Sequence, residues 1–100
     1  MPSCRSSGVK TASAVINAGR CKLISIHAQY TGSAATTVKV FDNASAASGT
    51  ELARIILGGV DPAAPHSIEF DMHGVLALNG LYLDISSGGG AGAAVSVEFA

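Results

Sequence analysis

Residues 93–99 read Ala-Ala-Val-Ser-Val-Glu-Phe, and residues 80–85 read Gly-Leu-Tyr-Leu-Asp-Ile. In both stretches apolar and polar side chains alternate residue by residue. Successive side chains of an extended chain point to opposite faces. Val95, Val97 and Phe99 therefore share one face, with Ser96 and Glu98 on the other; Leu81, Leu83 and Ile85 oppose Tyr82 and Asp84 in the same way. A helix would scatter these residues around its axis, so each stretch predicts a half-buried strand. Asn79-Gly80, just ahead of the second, is a tight-turn dipeptide.

The same rhythm extends through the chain. His66 to Met72 alternates, with Ile68, Phe70 and Met72 on one face and Ser67, Glu69 and Asp71 on the other. Thr36 to Asp42 places Val38 and Val40 inward and Thr37, Lys39 and Phe41 outward. Arg20 to Tyr30 is a long strand with Lys22, Ile24, Ile26, Ala28 and Tyr30 on one face. Its other face carries Leu23, Ser25, His27 and Gln29. Val9 to Ile16, Glu51 to Leu57 and Gly74 to Leu78 are shorter candidates. Clusters of Gly, Asn, Asp, Ser and Pro separate these runs, as strand connections require. Met1 to Gly8 has no period and reads as a flexible N-terminal arm, leaving residues 9–100 as one domain. The fold expected is all-β: an antiparallel sandwich, jelly-roll-like, of seven or eight strands. Spacing alone leaves the strand order open. The expected core is Leu23 or Ile24, Val38, Val40, Ile68, Phe70, Leu81, Leu83, Val95, Val97 and Phe99.

Composition narrows the function. Only 13% of the 100 residues are charged and the net charge is −1, against about 25% charged residues in ordinary soluble domains. A nucleic-acid binder needs a basic stripe to displace counterions, and an anionic membrane attracts the same kind of patch, so neither partner is expected. Ala, Ser and Gly together make up 41 residues and there are five aromatics, which predicts a thin core. A nearly neutral surface of small residues is poorly protected against association. The expectation is a surface that works against other subunits, with a homo-oligomer, plausibly a trimer, as its simplest form. Met1 to Lys10 lacks the apolar run of a signal peptide, so synthesis in the cytoplasm is expected. Cys4 and Cys21 are too few and too far apart for a disulfide framework and are read as reduced, with Cys21 a small buried hydrophobe.

No stretch carries recognisable catalytic machinery, and no cofactor is expected. His66, Glu69, Asp71 and His73 are the one local cluster of metal-capable side chains, but three of them fall on one face of one strand, whereas metal ligands converge from several directions. The cluster reads as a solvated strand face. His27, alone in an apolar strand, reads as a hydrogen-bonded sheet residue. The Gly-rich run at 88–92 lacks the Lys-Ser/Thr of a phosphate loop and joins two strands. The serines sit in small-residue loops without a nucleophile elbow.

The succession GRCKLISIHAQYTGSAATTVKVFDNASAASGTELARIIL (19–57) and IEFDMHGVLALNGLYLDISSGGGAGAAVSVEFA (68–100) resembles the small β-sandwich proteins encoded among the structural genes of tailed bacteriophages. The parts that carry the resemblance are Thr37 to Asp42, Gly80 to Ile85 and Ala94 to Phe99, within a match spanning roughly residues 15–100. It implies a non-enzymatic virion protein of the capsid decoration (cement) or head-fibre type. The favoured role is a subunit that binds and stabilises the lattice of major capsid protein. A tail or fibre component, or a receptor- or carbohydrate-binding module of the particle, is the alternative. Candidate contact residues are Arg5 and Lys10, which would meet an acidic capsid surface, and Phe41 and Tyr82, on the polar phase of their strands. The Asp61–His66 loop, with Asp61, Pro62, Pro65 and His66, is a further docking candidate because its prolines pre-order it.

Overall fold

A computed structural model describes residues 4–30, 36–57, 67–86 and 93–100. The described residues form eight strands and no helix: β1 (Arg5–Ser6), β2 (Ala14–Asn17), β3 (Cys21–Tyr30), β4 (Thr36–Asp42), β5 (Thr50–Leu57), β6 (Ser67–Ala77), β7 (Leu81–Ser86) and β8 (Ala93–Phe99). Two four-stranded antiparallel sheets result, with orders β1-β8-β3-β6 and β2-β7-β4-β5. The strands nest in pairs: β4 with β5, β3 with β6, β2 with β7 and β1 with β8. Successive pairs belong to alternate sheets. A long antiparallel ribbon rolled in this way is an eight-stranded jelly roll, so the expected sandwich is present.

The core lies between the sheets. From the first sheet come Leu23, Ile26 and Tyr30 of β3, Ala77 of β6, and Val95, Val97 and Phe99 of β8. From the second come Val38 and Val40 of β4, Ile55 and Leu57 of β5, and Leu83 and Leu81 of β7. Each fully buried Leu, Ile or Val contributes about 1.5–3 kcal/mol relative to exposure. The expected core members Leu23, Val38, Val40, Leu81, Leu83, Val95, Val97 and Phe99 are all buried.

Four expectations need correction. In β3, Cys21 and Leu23 are buried together with Ile26, Ala28 and Tyr30, while Lys22 is exposed. The cause is a bulge: Leu23 stands opposite Phe99, but Ser25 already stands opposite Glu98. One additional residue on β3 inverts the phase, which uninterrupted alternation cannot anticipate. Second, residues 67–72 and 74–77, expected in two separate strands, belong to one strand, β6. Between the pairs Leu23–Val75 and Ser25–Asp71, β6 advances four residues while β3 advances two. His73, at φ 54°, and Gly74, at φ 79°, absorb the excess.

Third, Phe70 is 39% exposed and Ile68 only partly buried. Phe70 pairs with the buried Ile26, so it leaves the same face of the sheet. β6, however, is an outer strand with a neighbour on one side only, so the ring overhangs the core. Fourth, the arm expected over residues 1–8 is tied down where it is described. Arg5 and Ser6 pair with Phe99 and Glu98. The Ser7 N–H donates to the Val97 carbonyl at 2.8 Å, and Lys10 exchanges backbone bonds with Val95 at 2.7 and 2.9 Å. The strand expected over Val9 to Ile16 is therefore split between this segment and β2. The segment places backbone partners along the open side of β8, a way of covering a sheet edge.

Candidate functional site

Strand pairing assembles a polar face on the outside of the first sheet. β3 is an inner strand, with β8 on one side and β6 on the other. His27 stands opposite Glu69 of β6 and Ser96 of β8, and Ser25 stands opposite Asp71 and Glu98. Directly opposed side chains in antiparallel strands share a face. Each polar residue has the strand phase that keeps its neighbours Ile26 and Ala28, Val95 and Val97, turned into the core.

His27 is held between two carboxylates. Its Nε2 lies 2.8 Å from Glu98 Oε1 and its Nδ1 lies 3.3 Å from Glu69 Oε2. A neutral imidazole has a single N–H, so only the doubly protonated ring donates to both. The Ser25 hydroxyl donates to the same Glu98 Oε1 at 2.6 Å. It is thus directed at a carboxylate and not at the imidazole, an arrangement that does not make serine a nucleophile with histidine as its base. The three strands are linked by charge and hydrogen bonds across the face.

Two hollows flank Glu69. One, of about 480 Å³, is lined by Val9, His27, Gln29, Ile68, Ala94 and Ser96 together with Glu69 itself. The second, of about 440 Å³, lies among Ile24, Ser25, Glu69 and Asp71. The wall at Val9 has a local origin. Arg5 and Ser6 keep one register with β8, Lys10 keeps the next, and Gly8, at φ 73°, takes up the additional residue. Positive φ is readily available to glycine, and bulges of this kind re-aim a side chain. Val9 is left 70% exposed at the margin of the hollow.

Among the described residues no group of three His, Cys, Asp or Glu side chains is arranged to hold a metal ion. Asp71 instead accepts the His73 backbone N–H at 2.9 Å, and its other oxygen lies 3.6 Å from His73 Nδ1. Glu69 turns to His27. The cluster read along one strand is thus divided between two local pairings. What the face offers is binding: hydrogen-bond donors and acceptors, three carboxylates and aliphatic walls.

The residues expected to make contacts are dispersed. Arg5 stacks on the Phe99 ring, with its guanidinium carbon 5.3 Å from the centroid. Lys10 bridges to Val95. Phe41 and Tyr82 are paired on the outside of the second sheet. Phe41 is only 9% exposed, contrary to its outward phase. It sits on an inner strand between Tyr82 and Glu51, where β5 carries an additional residue, and neighbours on both sides crowd it. Tyr82 is half-buried. Asp61, Pro62, Pro65 and His66 lie outside the described residues, as does the Gly-rich run at 88–92.

Elsewhere, three environments shift titrations. The backbone N–H of Asn79, joined by those of Leu78 and Gly80, holds the Asp42 carboxyl below its ordinary range against the opposing effect of burial. Arg54, bonded to Glu51 at 2.6 and 2.9 Å, lowers the Glu51 carboxyl. Burial raises the Cys21 thiol.

Compared with known proteins, the sequence matches no protein family and no curated protein, and the fold matches no solved structure.

Proposed function

We propose that this chain is a non-enzymatic structural subunit of a virus particle, a decoration protein that binds and stabilises the lattice of major capsid protein. The observation that carries this reading is the set of large apolar side chains left in solvent along the outer strands of a rigid jelly roll. Phe70 and Leu76 stand on β6, Ile56 on β5 and Val15 on β2, all exposed. Outer strands also present backbone groups that a neighbouring chain can pair with. Sparse charge acts in the same direction, because charged residues are depleted from the centres of protein interfaces. Many weak copies of such a contact become strong on a repeating lattice. The protein would be made in the host cytoplasm and carried on the virion, and the same apolar edges favour a homo-oligomer, a trimer or a symmetric lattice component.

The test is to mix the purified protein with expanded, undecorated shells. Saturable binding, accompanied by greater resistance of the shells to heat, is the expected result. No binding to shells, with capture by tails or fibres instead, would assign the protein to the alternative position on the particle.

A further inference from the structure

Resting on that docking role, we propose that the outer face of the first sheet is the docking face and that it receives a lysine-bearing segment of the partner protein. Charge is distributed unevenly between the two outer faces. Glu69, Asp71 and Glu98 lie together on the first. The basic side chains near them are the imidazoles of His27 and His73 and, opposite Leu76 and Ala100 towards one end, Lys22. On the second sheet Lys39 and Arg54 are matched by Glu51 and Asp84. The first face therefore attracts a cation and the second has no preference. Complementary charge of this kind selects a partner and its orientation.

The hollows define which cation. The larger is lined on its apolar side by Val9 and Ala94, and Glu69 stands at its margin with the polar groups of Gln29 and Ser96. Lysine has the matching form, an apolar four-carbon stem ending in a compact ammonium with three donors. The stem lies along Val9 and Ala94 and the ammonium reaches Glu69. The second hollow, across Glu69, offers the Asp71 carboxylate to a further cation. Glu69 and Asp71 are both well exposed, with 72% and 68% of their side chains accessible, so meeting a cation requires no rearrangement of the core.

The probe is a short peptide of alternating Lys and Thr, titrated into ¹⁵N-labelled protein at low salt, beside a Glu-Thr peptide of equal length. Shifts should cluster on β3, β6 and β8 around Glu69 with the lysine peptide alone and disappear at high salt. The double variant Glu69→Lys/Asp71→Lys should weaken binding at least about tenfold. Ala94→Phe, which fills the larger hollow without altering charge, should weaken it as well. Each variant is compared at equal folded fraction, read from its amide spectrum. Equal response to both peptides, shifts centred on the second sheet, or occupation of the face by a second copy as protein concentration rises would overturn the proposal. Undiminished binding of shells by Glu69→Lys/Asp71→Lys would also overturn it while leaving the decoration role intact. Failure of the wild-type protein to bind shells, with the lysine peptide still mapping to Glu69, would overturn the decoration role alone.

Discussion

The Asp42 carboxylate accepts the backbone N–H of Asn79 at 2.7 Å, and its second oxygen accepts that of Leu78 at 3.1 Å. This ties the end of β4 to the turn between β6 and β7, joining the two sheets at one end of the sandwich. Because the folded carboxyl titrates below its ordinary range, the bonds stabilise the fold fully above the unfolded aspartate value of about 3.9. That stabilisation is lost as pH falls through the lower folded value. Asp42→Ala should cost about 1–2 kcal/mol at neutral pH. The difference in melting temperature from the wild type should shrink as pH falls below 4. A constant difference down to the acid transition would show that the carboxylate is not the cause.

Gly80 follows in the same turn. Its φ is 151°, and a Cβ built there would lie 2.5 Å from the Asn17 carbonyl oxygen and 3.0 Å from Ala44 Cα. Both obstacles are backbone atoms, which cannot swing aside as a side chain end can. Gly80→Ala should destabilise by about 2–4 kcal/mol. Urea denaturation measures this directly, and a midpoint near that of the wild type would mean that the turn relaxes freely.

Tyr30 presents the reverse case. It is 1% exposed, and its hydroxyl has no hydrogen-bond partner among the described residues. An unpaired buried hydroxyl is costly, so its removal relieves a penalty. Tyr30→Phe should leave stability unchanged or raise it by about 1 kcal/mol. A loss of 1 kcal/mol or more in thermal or chemical unfolding would reveal a bond to this hydroxyl.

Phe70 and Leu83 separate an outer strand from the core. A fully buried Phe costs about 3–5 kcal/mol on truncation and a buried Leu about 2–5. With 39% of Phe70 exposed, Phe70→Ala should cost clearly less, about 1–2 kcal/mol. Leu83→Ala should fall within the full core range, and equal losses in the two variants would place Phe70 inside the core after all.

The two cysteines differ in the same manner. Cys4 is exposed and Cys21 is 5% exposed with its thiol titration raised by burial. The thiolate is the reactive form. One equivalent of a thiol reagent should therefore react promptly under native conditions and the second only with unfolding. Rapid modification of both would show that the end of β3 opens easily.

These contrasts show which parts of the fold were legible. Alternation identified the inward residues of β4, β7 and β8, where each additional residue of a bulge falls on the partner strand and leaves their own phase intact. It set Lys22 and Ile24 on the face of Ile26 and Ala28, because the bulge near Ile24 changes the phase within a strand, and no local residue type announces it. It overestimated Phe70 because burial depends on whether a strand is inner or outer, a property of topology. The polar face was half legible. His27, Glu69 and Glu98 each stood on the polar phase of their strands, but they are 42 and 29 residues apart along the chain. Only the order β8-β3-β6 brings them together, and spacing does not encode that order.

Nesting of the strand pairs has a consequence for synthesis. β4 and β5 alone are consecutive in the chain and paired with each other; every other ladder joins strands that are not neighbours in sequence. β8, made after the other seven described strands, fills the gap between β1 and β3. On the ribosome, then, a β4–β5 hairpin can form early, but Leu23, Ile26 and Tyr30 have no complete sheet around them until β8 emerges. Long-range pairing of this kind is slow and leaves apolar strands open to the wrong neighbours. The first sheet can therefore close only once β8 has been made, and until then its apolar strands stay open.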